Sequence, residues 1–138
     1  MAELEALQAA LAAEHAAVYL YGALGGRTSQ SATPELFAAV AAAYAAHRAR
    51  RDRLTADVVD LGAEPVAAEP AYRLPRLDTP PQVTRAALGV ERACATTYAY
   101  LVQNTVADQR RSAIGALTES AVRELAFGGD PEALPGSR

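Results

Sequence analysis

A few carboxylates and one imidazole lie in helical segments that are otherwise apolar. Glu14 interrupts the run LAAEHAAVYLYG, residues 11–22, and His47 and Glu91 lie in similar alanine-rich stretches. Carboxylate oxygens and imidazole nitrogens can bind iron, manganese or zinc, and they can also hydrogen-bond to one another. A buried carboxylate without a partner costs several kcal/mol. These residues therefore predict either a metal site or a buried polar network.

Each of these side chains falls on the inward face of a different predicted helix. Four helices are predicted, and each has a row of residues at the three- and four-residue spacing of a buried face. The rows of the first two helices are Leu4, Leu7, Leu11, Glu14, Val18 and Tyr21, then Phe37, Val40, Tyr44, His47, Arg51, Leu54, Val58 and Leu61. The rows of the last two are Leu88, Glu91, Ala95, Tyr98 and Val102, then Ile114, Leu117, Ala121 and Leu125.

Antiparallel pairing brings the polar members of these rows to one level. Because the turn between the first two helices is short, Glu14 is expected level with Tyr44 and within one turn of His47. The same argument for the last two helices puts Glu91 level with Ala121. The sequence thus predicts one central polar layer to which all four helices contribute.

Capping residues, glycines and prolines set the limits of these helices. We predict helices over residues 3–24, 34–61, 79–104 and 108–127. Thr33 and Asp108 are the predicted N-caps of the second and fourth helices, and Gly62 is predicted just beyond the second. Prolines at 65, 70 and 75 keep residues 62–79 extended. At about 3.3 Å per residue this connection can span the second helix, which is about 39 Å long. The chain is therefore predicted to be an all-α four-helix bundle with one long crossover between helices 2 and 3.

Composition limits the function classes. The chain has 138 residues, 51% of them hydrophobic and 6% aromatic, which fits one domain of helices packed through alanine. We assign residues 1–129 to the bundle and 130–138 to a short tail with few expected contacts. A net charge of -3 and no basic stripe disfavour a nucleic-acid partner. No apolar run is long enough for a signal segment or a membrane span, so a cytoplasmic protein without a membrane partner is expected.

No motif for nucleophilic catalysis or phosphate binding occurs, so no catalytic or cofactor-binding residue is assigned. Cys94 is the only cysteine and is expected to be a small core hydrophobe. His15 is expected to hydrogen-bond to another element or to face an interface. The tyrosines at 19, 21, 98 and 100 are expected to be packing residues.

Four stretches carry a resemblance to a known family. They are LQAALAAEHAAVYLYGALGGR, AAHRARRDRL, the pair GAEP and AYRLP in the crossover, and the closing LPG. With these in order along nearly the whole chain, the sequence resembles the ferritin-like superfamily, and more narrowly a bacterial ferritin-like domain family of unassigned function. The resemblance implies a ferritin-like bundle and brings no known activity.

The resemblance also implies a metal-ligand pattern that this chain has partly lost. In metal-bearing members, two helices each give a Glu and two give Glu-x-x-His. The single glutamates would be Glu14 and Glu91. The second helix has Tyr44 in place of the motif's glutamate, before His47, and the fourth has Glu119 but Val122 in place of its histidine. Glu119 lies about 140° from Ile114 at about 100° per residue, so its inward orientation is open.

Three interpretations of the layer follow. A single iron, manganese or zinc ion could be held by Glu14, His47 and Glu91, with Glu119 or water as a further ligand. A metal-free network could instead have Glu14 accepting hydrogen bonds from Tyr44, His47 or Arg51. A small-molecule pocket could use the space of the lost metals.

The residues favour the metal-free network. No cofactor is expected, and the predicted function is a binding or scaffolding domain, with a homodimer as the expected partner arrangement. The alternative is a metal-binding protein or oxidoreductase with a degenerate carboxylate and histidine site.

Overall fold

Four α-helices make up the regular structure of the chain. The computed structural model describes residues 1–137, and these contain no β-strand. The helices are α1 (Ala2–Gly25), α2 (Pro34–Asp60), α3 (Pro80–Gln103) and α4 (Ala107–Ala126). Every boundary lies within one residue of its predicted position, so the all-α, four-helix prediction is confirmed. The ferritin-like character of the bundle stays a prediction.

Only some of the helix ends have the predicted capping residues. Thr79 accepts from the Gln82 amide, and the Gln82 side chain accepts from the Thr79 amide, so α3 begins with a capping box. Gly62 follows α2 with φ at +78°, a conformation that favours glycine. The Thr33 hydroxyl oxygen accepts from the Ser29 amide and does not cap α2. The predicted N-cap of α4 is wrong, because Asp108 lies inside its first turn.

Small side chains let α1 lie close to both α2 and α3, while α4 packs mainly on α3. The buried row of α1 combines alanines with leucines and contains Ala6, Leu7, Ala10, Leu11, Glu14, Ala17, Tyr21 and Leu24. It agrees closely with the predicted row. The sparse contact between α2 and α3 leaves room for a cavity on that side.

Helix α4 is rotated relative to the prediction. Its buried residues are Ala113, Ala116, Ser120 and Glu124. Each precedes by one residue the predicted member Ile114, Leu117, Ala121 or Leu125. One residue corresponds to about 100° of rotation. The cause is packing through small side chains: Ala113, Ala116 and Ser120 allow α4 to approach α3 closely. Ile114 and Leu125 are left about half exposed.

The α2–α3 connection runs along α1 without regular structure. The Gln8 side chain donates to the carbonyl of Glu64 and accepts from the amide of Val66. His15 Nε2 lies 3.0 Å from the carbonyl oxygen of Val66, so its expected hydrogen bond to another element is made with this connection.

The C-terminal tail contacts α3 at Gly136. A Cβ atom at Gly136 would lie 2.3 Å from the carbonyl oxygen of Ala95, and the φ of Gly136 is +79°. Only glycine fits there. The tail thus makes a specific contact beyond Leu134, which is itself exposed. Among the described helices none is both long and apolar enough to cross a bilayer.

Candidate functional site

Glu14 of α1, His47 of α2 and Glu91 of α3 meet in the centre of the bundle, and none is exposed to solvent. His47 Nδ1 lies 2.6 Å from Glu14 Oε2, and His47 Nε2 lies 2.7 Å from Glu91 Oε2. Both ring nitrogens of one histidine therefore face carboxylates. The structure brings three of the four predicted site residues together at the predicted level.

Two tyrosines also hydrogen-bond to these carboxylates, while Glu91 Oε1 accepts no hydrogen bond among the described residues. The Tyr98 hydroxyl donates to Glu14 Oε1 across 2.6 Å, and the Tyr21 hydroxyl donates to Glu91 Oε2. The Tyr21 ring also stacks on His47, with centroids 5.2 Å apart and planes at 18°. Both tyrosines lie in the core, as expected of packing residues, and their bonds to the glutamates were not predicted. A signal was present, since each tyrosine follows a glutamate by seven residues on the same helix.

Of the predicted donors to Glu14 from α2, His47 is confirmed, and Tyr44 and Arg51 are corrected. Tyr44 is half-buried with the Arg48 guanidinium 5.5 Å from its ring, and Arg51 pairs with the neighbouring Asp52. Tyr44 and Arg51 do not hydrogen-bond to Glu14 among the described residues. The physical reason is the packing of α3 against α1, which places the Tyr98 hydroxyl at Glu14 Oε1.

Glu119 lies outside the layer, and Arg123 is the residue of α4 that contacts it. The Glu119 side chain is 55% exposed and pairs with Arg50 and Arg123 at the surface. Arg123 is largely buried, and its Nε lies 3.5 Å from Glu91 Oε1. This follows from the rotation of α4, which turns Glu119 and Val122 outward. Ser120 and Arg123 take the inward positions that the motif assigned to Glu119 and Val122.

Cys94 is buried, as expected for a core residue, but it lies beside His47. One ligand atom from each of Glu14, His47 and Cys94 lies within 4.8 Å of the others. Sequence reasoning missed this contact because a lone cysteine carries no spacing signal. Cys94 is one turn after Glu91 on α3, which is the only indication that the sequence offers.

The electrostatics favour a charged His47. Burial alone lowers the pKa of His47, but hydrogen bonds with Cys94, Glu14 and Glu91 outweigh it and raise the pKa from 6.5 to about 11. Burial, with the adjacent glutamates, raises the pKa of Tyr21 and Tyr98 far above 10.0, so both hydroxyls stay protonated. Burial likewise raises the pKa of the Cys94 thiol to about 11. At neutral pH the imidazolium and the Arg123 guanidinium balance two carboxylates.

The donor set suits one metal ion better than two. Glu14, His47 and Cys94 offer ligand types that zinc accepts. The 2.6 Å between His47 Nδ1 and Glu14 Oε2 is nevertheless shorter than the roughly 3 Å between neighbouring ligands of one zinc ion. An ion would require His47 to release a proton and the two side chains to separate. The chain's other histidine, His15, bonds to the α2–α3 connection instead.

Comparisons with known proteins give a family of unknown function and a similar solved structure. A conserved hypothetical protein, Rv2844 from Mycobacterium tuberculosis, is 34% identical, with a TM-score of 0.84 over 91% of this chain and 87% of that chain. No curated protein matches the chain. The sequence model of a domain of unknown function, DUF4439, matches residues 6–138. The chain therefore belongs to the DUF4439 family.

Proposed function

We propose that this protein is a ferritin-like bundle whose central layer holds no metal. The domain acts by binding or scaffolding, and the layer fixes the mutual positions of the helices. The observation that carries this proposal is the bonding of His47, whose two ring nitrogens each face a different buried carboxylate. A histidine that donates from both nitrogens has no lone pair left for a metal.

The connectivity supports the ferritin-like part of the proposal. Helix α1 pairs with α2, α3 pairs with α4, and the irregular α2–α3 connection lies against α1 between Gln8 and Tyr19. One long crossover between two helical hairpins is the connectivity of ferritin-like bundles.

The charge balance supports the metal-free part. In a two-metal centre, carboxylates neutralise the cations that they bind. Here Glu91 is next to the imidazolium of His47 and the guanidinium of Arg123. These side chains supply positive charge from the chain itself, so the carboxylates need no ion to neutralise them.

Metal analysis and NMR test the proposal together. Protein purified without chelators is expected to contain substoichiometric iron, manganese and zinc, and NMR should detect protons on both ring nitrogens of His47. Stoichiometric metal that disappears in His47→Ala and persists in His15→Ala would overturn the proposal. His15→Ala is the matched control because it removes the chain's other histidine without touching the layer.

A metal-binding protein or metal-dependent oxidoreductase is the second candidate, and the proximity of Glu14, His47 and Cys94 favours it. These residues would hold a single zinc, iron or manganese ion, which would act as a Lewis acid or a redox centre. A cobalt titration separates the candidates. Metal binding at this site would produce a thiolate-to-cobalt absorption band that Cys94→Ser abolishes, whereas the metal-free network predicts no such band.

A homodimer and a cytoplasmic location complete the proposal. The outward face of α4 supports self-association, because Ile114, Val122 and Leu125 are 48%, 59% and 47% exposed. Exposed apolar residues that share a helix face are typical of protein interfaces. Light scattering of the wild type and of Val122→Glu tests the dimer. A monomeric wild type would contradict it.

A further inference from the structure

A cavity of about 300 Å³ lies between α2, α3 and α4, outside the central layer. Its apolar wall consists of Leu54, Leu101, Ala113 and Ala116. It is close in volume to the smallest pockets that proteins use for small ligands. The Tyr98 side chain, which lines the cavity, is the one member of the layer that it shares.

Each end of this cavity has one arginine and one carboxylate, and the two pairs differ in how closely they bond. At the end near the layer, Arg50 donates to Glu119, and its guanidinium lies 5.7 Å from the centroid of the Tyr98 ring. Both charges at this end are therefore engaged. About two turns further along, Asp57 of α2 and Ser112 of α4 line the other end.

The far end of the cavity holds polar groups without good partners. The Asp57 side chain is 16% exposed, and its nearest cation, Arg53 Nε, lies 3.8 Å away, too far for a hydrogen bond. Arg53 also lines the cavity, and its side chain is 62% exposed. Within residues 1–137 the side chains of Gln109 and Ser112 make no hydrogen bond. Asp57, Gln109 and Ser112 together offer a carboxylate, an amide oxygen and a hydroxyl.

We infer that this cavity binds a small organic ammonium compound with a compact apolar body. The ammonium group donates to the Asp57 carboxylate, with Ser112 and Gln109 as further acceptors. The apolar body lies against Leu54 and Leu101. Arg53 moves into solvent when the ligand replaces it at Asp57, which costs little because the two groups are 3.8 Å apart and the Arg53 side chain is already largely exposed.

An anionic ligand fits this cavity less well. A carboxylate at the far end could pair with Arg53 only beside the less exposed Asp57 carboxylate, and at the near end it would have to displace Glu119 from Arg50. A ligand of this class would be what the proposed binding domain binds, so the inference rests on the proposed function in that respect. It does not depend on the metal content of the layer, so metal analysis and ligand titration can fail independently.

Three probes of equal chain length test the inference: hexylammonium, hexanoate and hexanol. In an NMR titration of the full chain, hexylammonium is expected to shift resonances of Asp57, Ser112 and Leu101 with millimolar affinity. Hexanoate and hexanol are expected to leave these resonances unchanged. Equal or tighter binding of either would overturn the inference, as would no response to hexylammonium at tens of millimolar.

Matched variants locate the site. Asp57→Asn is expected to weaken hexylammonium binding by at least about tenfold, because it removes the charged acceptor. Asp60→Asn, an equal charge change at an exposed position outside the cavity, should leave the affinity within about twofold. Ala49→Leu fills the cavity from its exposed rim, so it should abolish binding without changing the melting temperature. Unchanged affinity in Asp57→Asn or in Ala49→Leu would contradict the assignment.

Discussion

Tyr98 on α3 donates its hydroxyl hydrogen to Glu14 on α1, 2.6 Å away. The reverse bond also exists, because Tyr21 on α1 donates to Glu91 on α3. Each of these antiparallel helices thus gives a glutamate and, seven residues later, the tyrosine that satisfies the other helix's glutamate. His47 joins the two halves by bonding to both carboxylates. We call this arrangement the clamp: two reciprocal tyrosine–glutamate bonds between α1 and α3, with His47 of α2 bonded to both glutamates.

Removing one hydroxyl of this clamp should destabilise the protein. Tyr98→Phe leaves Glu14 Oε1 without its donor, and we expect the free energy of unfolding to fall by about 1 to 3 kcal/mol in urea denaturation. Tyr100→Phe is the control, since Tyr100 is on the same helix, is exposed and makes no side-chain hydrogen bond among residues 1–137. Equal stability of the two variants would contradict the clamp.

The charge on His47 should make stability depend on pH. Its pKa is about 11 in the folded chain against 6.5 unfolded. The stabilising contribution is therefore complete below about pH 6.5 and is lost as pH rises towards 11. Over this range the folded state holds one proton more, so the free energy of unfolding should fall by up to about 1.4 kcal/mol per pH unit.

Urea denaturation of the wild type and of His47→Gln between pH 7 and 9 measures this slope, where only the wild type should show the His47 contribution. The ring resonances of His47 give a second measurement that does not require a folded variant. They should not titrate between pH 6 and 9. A transition of His47 near neutral pH would show that the ring is not held as an imidazolium.

The tail contact makes a separate prediction. Gly136→Ala places a methyl group against the Ala95 carbonyl, so the tail should detach from α3 and become sensitive to proteolysis. Gly62→Ala has a similar positive φ but an open surrounding. It should lower stability by about 1 kcal/mol and leave the tail protected. Equal proteolysis of both variants would show that the contact at Gly136 does not hold the tail.

Periodicity predicted the helices and most of the layer because the features it uses are local. Prolines, glycines and the three- and four-residue spacing were enough to give every helix boundary within one residue and to place Glu14, His47 and Glu91 together. The rotation of α4 was not predictable in this way. Both faces of α4 contain small or apolar residues, and close packing on α3 selected the alanine face over the face with Ile114 and Leu125.

The partners of Glu14 were missed for a different reason. Sequence spacing places residues on a face of one helix, but it does not decide which of two helices fills a shared space. Tyr44 lies at the predicted level of Glu14, but the packing of α1 against α3 gives the bond to Tyr98 instead. Arg123 was missed because arginine is usually a surface residue, and its burial depends on the same rotation of α4.

The rotation of α4 makes a prediction about metal binding that depends on the position of a new histidine. Arg123→His replaces the cation next to Glu91 with a second imidazole on the inward face, and this variant should gain affinity for zinc of at least about tenfold over the wild type. Val122→His adds the same side chain at the position suggested by the sequence motif, but Val122 is 59% exposed and faces outward. Val122→His should therefore gain no affinity for zinc. Isothermal titration with zinc measures both. Tighter zinc binding by Val122→His than by Arg123→His would show that α4 presents the other face to the layer.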